Sequence, residues 1–288
     1  MGMHMGHLAL EVTDLDAYID HITVALGLTV LERDADQALL GSQPVRHELQ
    51  LIKADRPAFG HIGLMVESEA EFDTAVQRAV DAGGVLSDSH GAERGSVRSA
   101  SVVGPAGIVH QLYLPEARVP LTLNMKLGTA TRRLGHLTFF SNEGDALVAF
   151  WQEGLGFRVS DAATGFTWLR CDPYHHTLAV GTHPAATLLH HHAWETQDIT
   201  SLTKHCDVNG AAGRPQMWGP VRHGPGFNVA TYMADAAGSL IEVYTDLLII
   251  DDDENYVPFD WSDEPLALNL WGTMPSPDVF AAGVPVIA

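Results

Sequence analysis

The sequence is poor in cysteine and in positive charge. Only Cys171 and Cys206 occur among its 288 residues, too few for a disulfide framework, which fits a reducing compartment where both remain thiols. Lys and Arg together number 16 against 36 Asp and Glu, so the formal net charge is -20. A field of that sign repels phosphate backbones and anionic lipid headgroups, so neither nucleic acid nor a membrane is expected as a partner.

The sequence also lacks a long apolar run. No stretch approaches the about 18 to 20 residues of a membrane span, and residues 1–10 lack the basic start and apolar middle of a secretory signal. We therefore expect a cytoplasmic protein. Hydrophobic residues make up 46% and charged residues 18%, as in ordinary folded proteins, and the length fits two domains of about 100 to 200 residues each.

Four segments share one plan, in which a His opens an alternating strand and is followed by an acidic turn, a helix, and a Gly before further strands. They begin at His7, His61, His136 and His191. In the first segment the apolar spacing is that of a half-buried strand and then of a helix, with Asp14 or Asp16 as the N-cap. Short β-rich runs separated by turn residues follow. Each segment is therefore predicted to be a β-α-β-β-β module.

Modules of this size should occur in pairs, because one module cannot bury its sheet face alone. The predicted fold class is α+β, with two similar domains, each made of paired β-α-β-β-β modules. The predicted domains are residues 1–130 and residues 131–288, the second including a C-terminal tail. Trp261 and Trp271 in that tail favour its packing back onto the body.

Two histidines and a glutamate of the second half carry a specific resemblance. They are His136, His191 and Glu242, the last within DAAGSLIEVYTD. The HHH run leaves the register of His191 open by one residue, and superposing HHAWETQD on HLALEVTD selects His191, because a slip by one turns the side chain to the other face. The pattern resembles the type I extradiol catechol dioxygenases, two-domain enzymes of the vicinal oxygen chelate (glyoxalase-like) superfamily. The resemblance implies that these residues bind Fe(II), and the triad also suits Mn(II).

Three further residues match the same family in type and spacing. His176 lies fifteen residues before His191, and His223 and Tyr232 lie nineteen and ten residues before Glu242. The resemblance implies that Tyr232 and His223 contact the substrate oxygens and assist removal of a proton. It places His176 beside the dioxygen site, where it stabilises the reduced oxygen and later delivers a proton.

The implied function is extradiol (meta) ring cleavage of a catechol-type aromatic by an Fe(II)-dependent dioxygenase. Both atoms of O2 enter a product of the 2-hydroxymuconic-semialdehyde type. The expected partners are a small catechol and O2, and the family habit implies a homo-oligomer. The ring substituent is not set by the sequence, because pocket shape decides it through differences of about 1 to 3 kcal/mol.

Two alternatives on the same fold stay open at this point. One is a glyoxalase-like metal-dependent isomerase or lyase, whose sites usually use four protein ligands and would leave His176, His223 and Tyr232 without a role. The other is a non-enzymatic protein that sequesters a small molecule, against which the intact triad argues.

The first half provides an internal comparison. His7 and His61 occupy the positions of the two metal-site histidines, but superposing GPAGIVHQ on DAAGSLIE puts Gln111 at the position of the glutamate. A neutral amide lacks the carboxylate's charge, so the N-terminal domain is predicted to hold no catalytic metal. The three side chains should still point into a common cavity.

The remaining histidines and two tryptophans are assigned by general tendencies alone. Five histidines could line the pocket or face water, and surface positions are the expectation: His175, His183, His190, His192 and His205. Trp168 and Trp194 are expected in the core.

Overall fold

The computed structural model describes residues 2–43, 46–88, 92–116 and 131–287. The first module consists of β1 (Met3–Val12), α1 (Leu15–Leu26), β2 (Thr29–Arg33), β3 (Gln37–Gly41) and β4 (Leu49–Lys53). The second consists of β5 (Ala58–Val66), α2 (Glu69–Asp81), β6 (Val85–Ser87), β7 (Ser96–Val103) and β8 (Val109–Pro115). A short 3₁₀ turn (Pro105–Gly107) precedes β8.

The second half repeats this order. The third module consists of β9 (Arg133–Ser141), α3 (Gly144–Glu153), β10 (Arg158–Ala163), β11 (Phe166–Arg170) and β12 (Leu178–Thr182). The fourth consists of β13 (Leu188–Glu195), α4 (Ile199–Ala211), β14 (Gln216–Arg222), β15 (Val229–Ala234) and β16 (Leu240–Thr245). The tail adds β17 (Phe259–Asp260), α5 (Pro277–Ala281) and β18 (Val284–Pro285). All four predicted modules are thus present with the predicted order of elements.

Each pair of modules builds one sheet. The first has the order β2-β3-β4-β1-β5-β8-β7-β6, and the second has the order β14-β15-β16-β13-β9-β12-β11-β10-β17, with β18 pairing with β13. At the centre of each sheet the first strands of its two modules run antiparallel, and each is flanked by a parallel strand of its own module. The predicted α+β class with paired modules is confirmed. The boundary after residue 130 stays a prediction, because residues 117–130 lie outside the described residues.

The helix signals of the sequence hold in the first module. Asp14 caps α1 by accepting a hydrogen bond from the backbone N–H of Ala17 at 3.0 Å. The helix ends at Gly27, whose φ of 70° is a left-handed value that suits glycine. The corresponding glycines after the other three helices also have positive φ: Gly83, Gly156 and Gly213. The repeated Gly therefore marks the turn that stops each helix.

Both faces of β1 are buried, whereas the strand pattern predicted one buried face. Leu8 and Leu10 are buried as expected, but His7 and Ala9 on the opposite face of β1 are also fully buried. The repeat histidines do not open their strands either, since each is the fourth or fifth residue of its strand. Alternation alone could not show that both faces of β1 are buried.

The helices cover the other face of each sheet, and the core there draws on both halves of the chain. Phe59 packs edge-on against Phe139 with ring centroids 5.3 Å apart. The indole N–H of Trp151 donates to His110 Nε2 at 3.0 Å. None of the helices in the described part of the chain has the length and apolar character needed to cross a bilayer.

Candidate active site

The second sheet brings three residues together on one of its faces. They are His136, His191 and Glu242, which we call the C-terminal triad. His136 Nε2 and His191 Nε2 lie 3.2 Å and 3.1 Å from the same carboxylate oxygen, Glu242 Oε2. All three residues are buried. Two imidazole nitrogens and a carboxylate that meet at one point form a donor set for a divalent transition metal.

Strand register explains why these distant residues meet. Ala193 on β13 pairs with His136 on β9 and with Glu242 on β16. His191 lies two residues before Ala193, so its side chain emerges on the same face of the sheet. Three neighbouring strands thus deliver one ligand each, on elements stiffer than loops.

His190 fixes the orientation of His191. His190 Nε2 lies 2.7 Å from the carbonyl of Val279, which can only accept, so this nitrogen carries the proton and His190 Nδ1 is an acceptor. His190 Nδ1 lies 2.7 Å from His191 Nδ1, which must then donate. The lone pair of His191 is therefore on Nε2, the nitrogen that faces Glu242, and burial lowers the pKa of His191, which keeps its ring neutral.

The charge of Glu242 completes the case for a cation. Burial would raise the pKa of its carboxyl group, but the neighbouring His136 and His191 outweigh that effect and lower this pKa well below its usual value. Its second oxygen, Oε1, accepts a hydrogen bond from Asn228 Nδ2 at 3.0 Å. A buried carboxylate that faces a neutral imidazole lone pair is balanced by a cation between them, so the residues present fit a divalent metal.

His176 stands beside the C-terminal triad without belonging to it. Its ring centroid is 4.2 Å from that of His136, and its Nδ1 lies 3.0 Å from His175 Nδ1. His175 Nε2 in turn lies 3.1 Å from Asp161 Oδ2. His175 and the indole of Trp261 outweigh burial and lower the pKa of Asp161, which is therefore ionised and can only accept. The negative charge of Asp161 favours a proton on the facing His175 Nε2, which makes His175 Nδ1 the acceptor of the His176 Nδ1 proton and leaves the lone pair of His176 on Nε2.

Tyr232 and His223 form a second hydrogen-bonded unit. His223 Nδ1 donates to the carbonyl of Leu268 at 2.6 Å, so its Nε2, 2.7 Å from the Tyr232 hydroxyl, accepts the phenolic proton. Burial and the nearby Glu242 raise the pKa of Tyr232 well above its usual value, and burial lowers that of His223. The phenol is thus protonated and the imidazole neutral, with lone pairs of the Tyr232 oxygen free to accept from a ligand.

A pocket with about 630 Å³ of space, open mouth included, joins these groups. All six residues predicted as metal ligands or catalytic groups line it, and its walls are largely aromatic: Phe140, Phe166, Trp168, Trp218 and Phe280. Trp168 was expected in the core, and although buried it faces this pocket. The tail supplies Leu268, Pro275, Val279 and Phe280, which no sequence signal could place, because nothing in the repeat covers the tail.

The expectation that the other histidines lie at the surface is wrong for most of them. His175, His190, His192 and His205 are buried, and only His183 is partly exposed. His175 and His190 hydrogen-bond to site residues, as described above. His192 Nδ1 accepts from the indole of Trp194 at 2.8 Å, and Trp194 is fully buried as expected.

The first half repeats the geometry in a changed form. Gly63 on β5 pairs with His7 and with Gln111, just as Ala193 pairs with the two outer residues of the C-terminal triad. His7 Nε2 and His61 Nε2 are 2.9 Å apart, and all three side chains are buried. The predicted superposition of GPAGIVHQ on DAAGSLIE is therefore in register.

Glu93, a carboxylate that the sequence analysis did not single out, also lies beside His7. Glu93 Oε1 lies 3.0 Å from His47 Nε2, and Glu93 Oε2 lies 3.7 Å from His7 Nε2. The ligand atoms of these three buried residues lie within 4.8 Å of one another. Glu93 lies outside β7 and outside the repeat pattern, so no sequence signal pointed to it.

Comparisons with known proteins agree with this geometry. Residues 133–243 match the family described as Glyoxalase/Bleomycin resistance protein/Dioxygenase superfamily. The 1,2-dihydroxynaphthalene dioxygenase of Sphingobium xenophagum is 25% identical over 224 residues, or 71% of this chain and 75% of that protein. Homoprotocatechuate 2,3-dioxygenase from Arthrobacter globiformis superposes with a TM-score of 0.88 at 24% identity, covering 100% of this chain and 93% of the other.

A second solved structure broadens the likeness in fold. The Mn(II)-bound glyoxalase from Novosphingobium aromaticivorans superposes with a TM-score of 0.82 at 21% identity, covering 99% of this chain and 94% of the other. Identities this low show a shared fold, so the two structures do not choose between dioxygenase and glyoxalase. Residues 133–243 therefore match the Glyoxalase/Bleomycin resistance protein/Dioxygenase superfamily, and over 71% of its length the chain is similar to a catechol-type dioxygenase, as its sequence predicted.

Proposed function

We propose that this protein is an extradiol dioxygenase that opens a catechol ring beside its two hydroxyl groups, with Fe(II) bound by His136, His191 and Glu242. The observation that carries the proposal is the convergence of this buried triad with Tyr232, His223 and His176 in one pocket. Among the described residues the pocket offers three ligands of this kind rather than four. Three ligands leave metal positions open for a chelating substrate and for dioxygen.

Tyr232 and His223 would remove the first proton. The Tyr232 oxygen can accept the proton of a catechol hydroxyl while passing its own to His223 Nε2, 2.7 Å away. The imidazolium formed keeps its Nδ1–H bond to the carbonyl of Leu268. When bound, Fe(II) would hold both catechol oxygens and let electron density pass from the ring to dioxygen.

His176 would handle the second proton. Its Nδ1 is engaged by His175, which leaves the Nε2 lone pair for a ligand, and its ring lies beside that of His136 on the pocket wall. A proton taken there is stabilised by the carboxylate of Asp161 through His175. His176 can therefore stabilise a negatively charged oxygen and return the proton when the O–O bond breaks.

The pocket wall favours an uncharged aromatic substrate. It is lined by Phe166, Trp168 and other aromatic rings, and no Lys or Arg lines it in the described part of the chain. A carboxylate on the ring would lose its hydration without gaining a partner. The relative from Sphingobium xenophagum, a 1,2-dihydroxynaphthalene dioxygenase, is named for a bicyclic diol without a carboxylate, and this supports the same substrate class.

Metal analysis and a substrate panel test the proposal together. Protein purified without oxygen and loaded with Fe(II) or Mn(II) should convert catechol and 1,2-dihydroxynaphthalene to coloured ring-opened products, with homoprotocatechuate a poorer substrate. Loss of ring opening in Glu242→Gln is the matched control. A metal-loaded protein that opens no ring but isomerises a thiol adduct would favour the glyoxalase-like alternative.

Light scattering of the same preparation measures the homo-oligomer that the resemblance implies. A cytoplasmic location is supported by the low cysteine content, which fits a reducing compartment.

A further inference from the structure

The N-terminal sheet holds a buried group of donors that the proposed reaction does not use. We call His7, His47, His61 and Glu93 the N-terminal cluster. His47 Nε2 is 3.0 Å from Glu93 Oε1, His7 Nε2 is 3.7 Å from Glu93 Oε2, and His7 Nε2 is 2.9 Å from His61 Nε2. The side chains of His7 and Glu93 are at most 4% exposed.

We propose that the N-terminal cluster binds a second divalent cation, of the Zn(II) class, through His7, His47 and Glu93, whose ligand atoms lie within 4.8 Å of one another. Two imidazoles and one carboxylate are a donor set that Zn(II) accepts in proteins. In a tetrahedral site with bonds of about 2.0 to 2.1 Å, neighbouring donor atoms are about 3.3 Å apart. The observed separations lie around that value.

A hydrogen bond does not account for the close approach of His47 to Glu93. Glu93 Oε1 is buried and has no hydrogen-bond partner among the described residues, although His47 Nε2 is only 3.0 Å away. If the ring N–H of His47 pointed at this oxygen, the two groups would form a hydrogen bond. They are therefore close without the alignment that a hydrogen bond requires. A cation between them would engage both, which is how donor atoms around a metal are disposed.

The positions of two ligands show how the cluster relates to the C-terminal half. His47 lies two residues before Leu49, which pairs with Leu8, and His176 lies two residues before Leu178, which pairs with Leu137. His47 is therefore the structural counterpart of His176.

Glu93 lies at nearly the same position in the first half as His223 does in the second. Gln111 pairs with Ser101, and Glu242 pairs with Tyr232. Glu93 lies eight residues before Ser101, and His223 lies nine residues before Tyr232. Glu93 thus lies between β6 and β7, and His223 lies in the corresponding connection between β14 and β15. The carboxylate of Glu93 therefore supplies the negative charge that the neutral Gln111 does not.

The second site would not open a catechol ring. Ser101 stands where the other half has Tyr232, so the site lacks the phenol that would accept the catechol proton. The expectation of no catalytic metal in the first domain is compatible with a bound ion there.

The test counts metal in the full-length protein. Chelator-stripped protein is reloaded with Zn(II) or Co(II), freed of excess metal, and measured for metal per chain and for the visible absorption of tetrahedral Co(II). The proposal predicts about two ions per chain for the wild type, about one for Glu93→Gln and about one for Glu242→Gln. The tetrahedral Co(II) band should persist in Glu242→Gln and vanish in Glu93→Gln. Iron-loaded Glu93→Gln should still open the catechol ring.

One ion per chain in the wild type, removed entirely by Glu242→Gln, would overturn the proposal and leave His47 and Glu93 as a buried ion pair. So would two ions per chain in a folded Glu93→Gln. If Glu93→Gln does not fold, His47→Gln takes its place, and the stoichiometry of the wild type and Glu242→Gln already decides the question. Failure of ring cleavage with two ions bound would count against the proposed function alone.

Discussion

The two halves of this chain place side chains at the same strand positions and give them different chemistry. In the C-terminal half the three residues on the central strands are two histidines and Glu242, and in the N-terminal half they are two histidines and Gln111. The N-terminal carboxylate instead comes from Glu93, outside the central strands. The fold therefore fixes the positions of the metal-donor side chains, and a few substitutions at those positions decide their chemistry.

A β-bulge at the same place in both sheets carries different residues in the two halves. In both sheets one of the bulges between the central antiparallel strands leaves a residue out of the pairing, which is Gly60 in the first sheet and His190 in the second. His190 uses that position to hydrogen-bond His191 and fix its free nitrogen. Gly60 has no side chain, so this position offers no such hydrogen bond to His61. Hydrogen bonds behind a ligand tune its basicity and direction, and here only the proposed catalytic half has this one.

The largest expected effect separates Glu242 from Gln111. Glu242→Gln should remove the catalytic metal and lower ring-opening activity by more than about 10³-fold, because metal assistance supplies several kcal/mol of transition-state stabilisation. His136→Ala should do the same while the fold survives. Gln111→Ala is the matched control and should leave activity within about threefold of the wild type. Steady-state rates and metal content measure the difference, and full iron in both C-terminal variants would refute the ligand assignment.

The pair His176 and His47 gives the next effect. His176→Phe should keep its metal and its catechol affinity but slow the steps after dioxygen binding by about 10² to 10⁴-fold, the usual worth of general acid or base assistance. His47→Phe should leave those steps unchanged. Stopped-flow mixing of the anaerobic enzyme–catechol complex with oxygenated buffer measures them. Loss of metal from His176→Phe would show that it is a ligand and that its place in the account is wrong.

Moving the carboxylate tests the equivalence of the halves. In protein that carries Glu93→Gln, adding Gln111→Glu should restore metal binding to the first half, because residue 111 has the register position of Glu242. We expect metal content to rise from about one ion per chain to about two. Adding Gln111→Asn instead is the control, since it changes size without charge. A folded Gln111→Glu double variant that holds one ion would break the comparison.

The smallest expected effect concerns Asp161, a positioning residue. Asp161→Asn removes the charge behind His175 and His176, so kcat should fall by about 10 to 100-fold, the usual cost of losing a partner behind a site residue. KM for the catechol and the metal content should not change, because Asp161 touches neither. A parallel rise in KM would show that the substitution deforms the pocket, since Asp161 also accepts from Trp261 and Phe259 of the tail.

Sequence periodicity predicted the four modules, and the family resemblance pointed to His136, His191 and Glu242, which the structure brings together. Superposing HHAWETQD on HLALEVTD selected His191, the histidine of the HHH run whose Nε2 faces Glu242. The roles of His175 and His190 could not be predicted, because they depend on which ring nitrogen faces which neighbour. Glu93 and the tail residues Leu268 and Val279 lie outside the repeat, so only folding in three dimensions reveals their contacts.

Oxygen consumption by the metal-loaded wild type tests the central claim most directly, that the C-terminal half alone opens catechol rings. An oxygen electrode should record one O2 taken up per catechol converted to a coloured ring-opened product, with no oxygen returned on adding catalase. Glu93→Gln should give the same trace and Glu242→Gln none. No uptake by the Fe(II)- or Mn(II)-loaded wild type, or uptake that catalase partly reverses through hydrogen peroxide, would contradict the account.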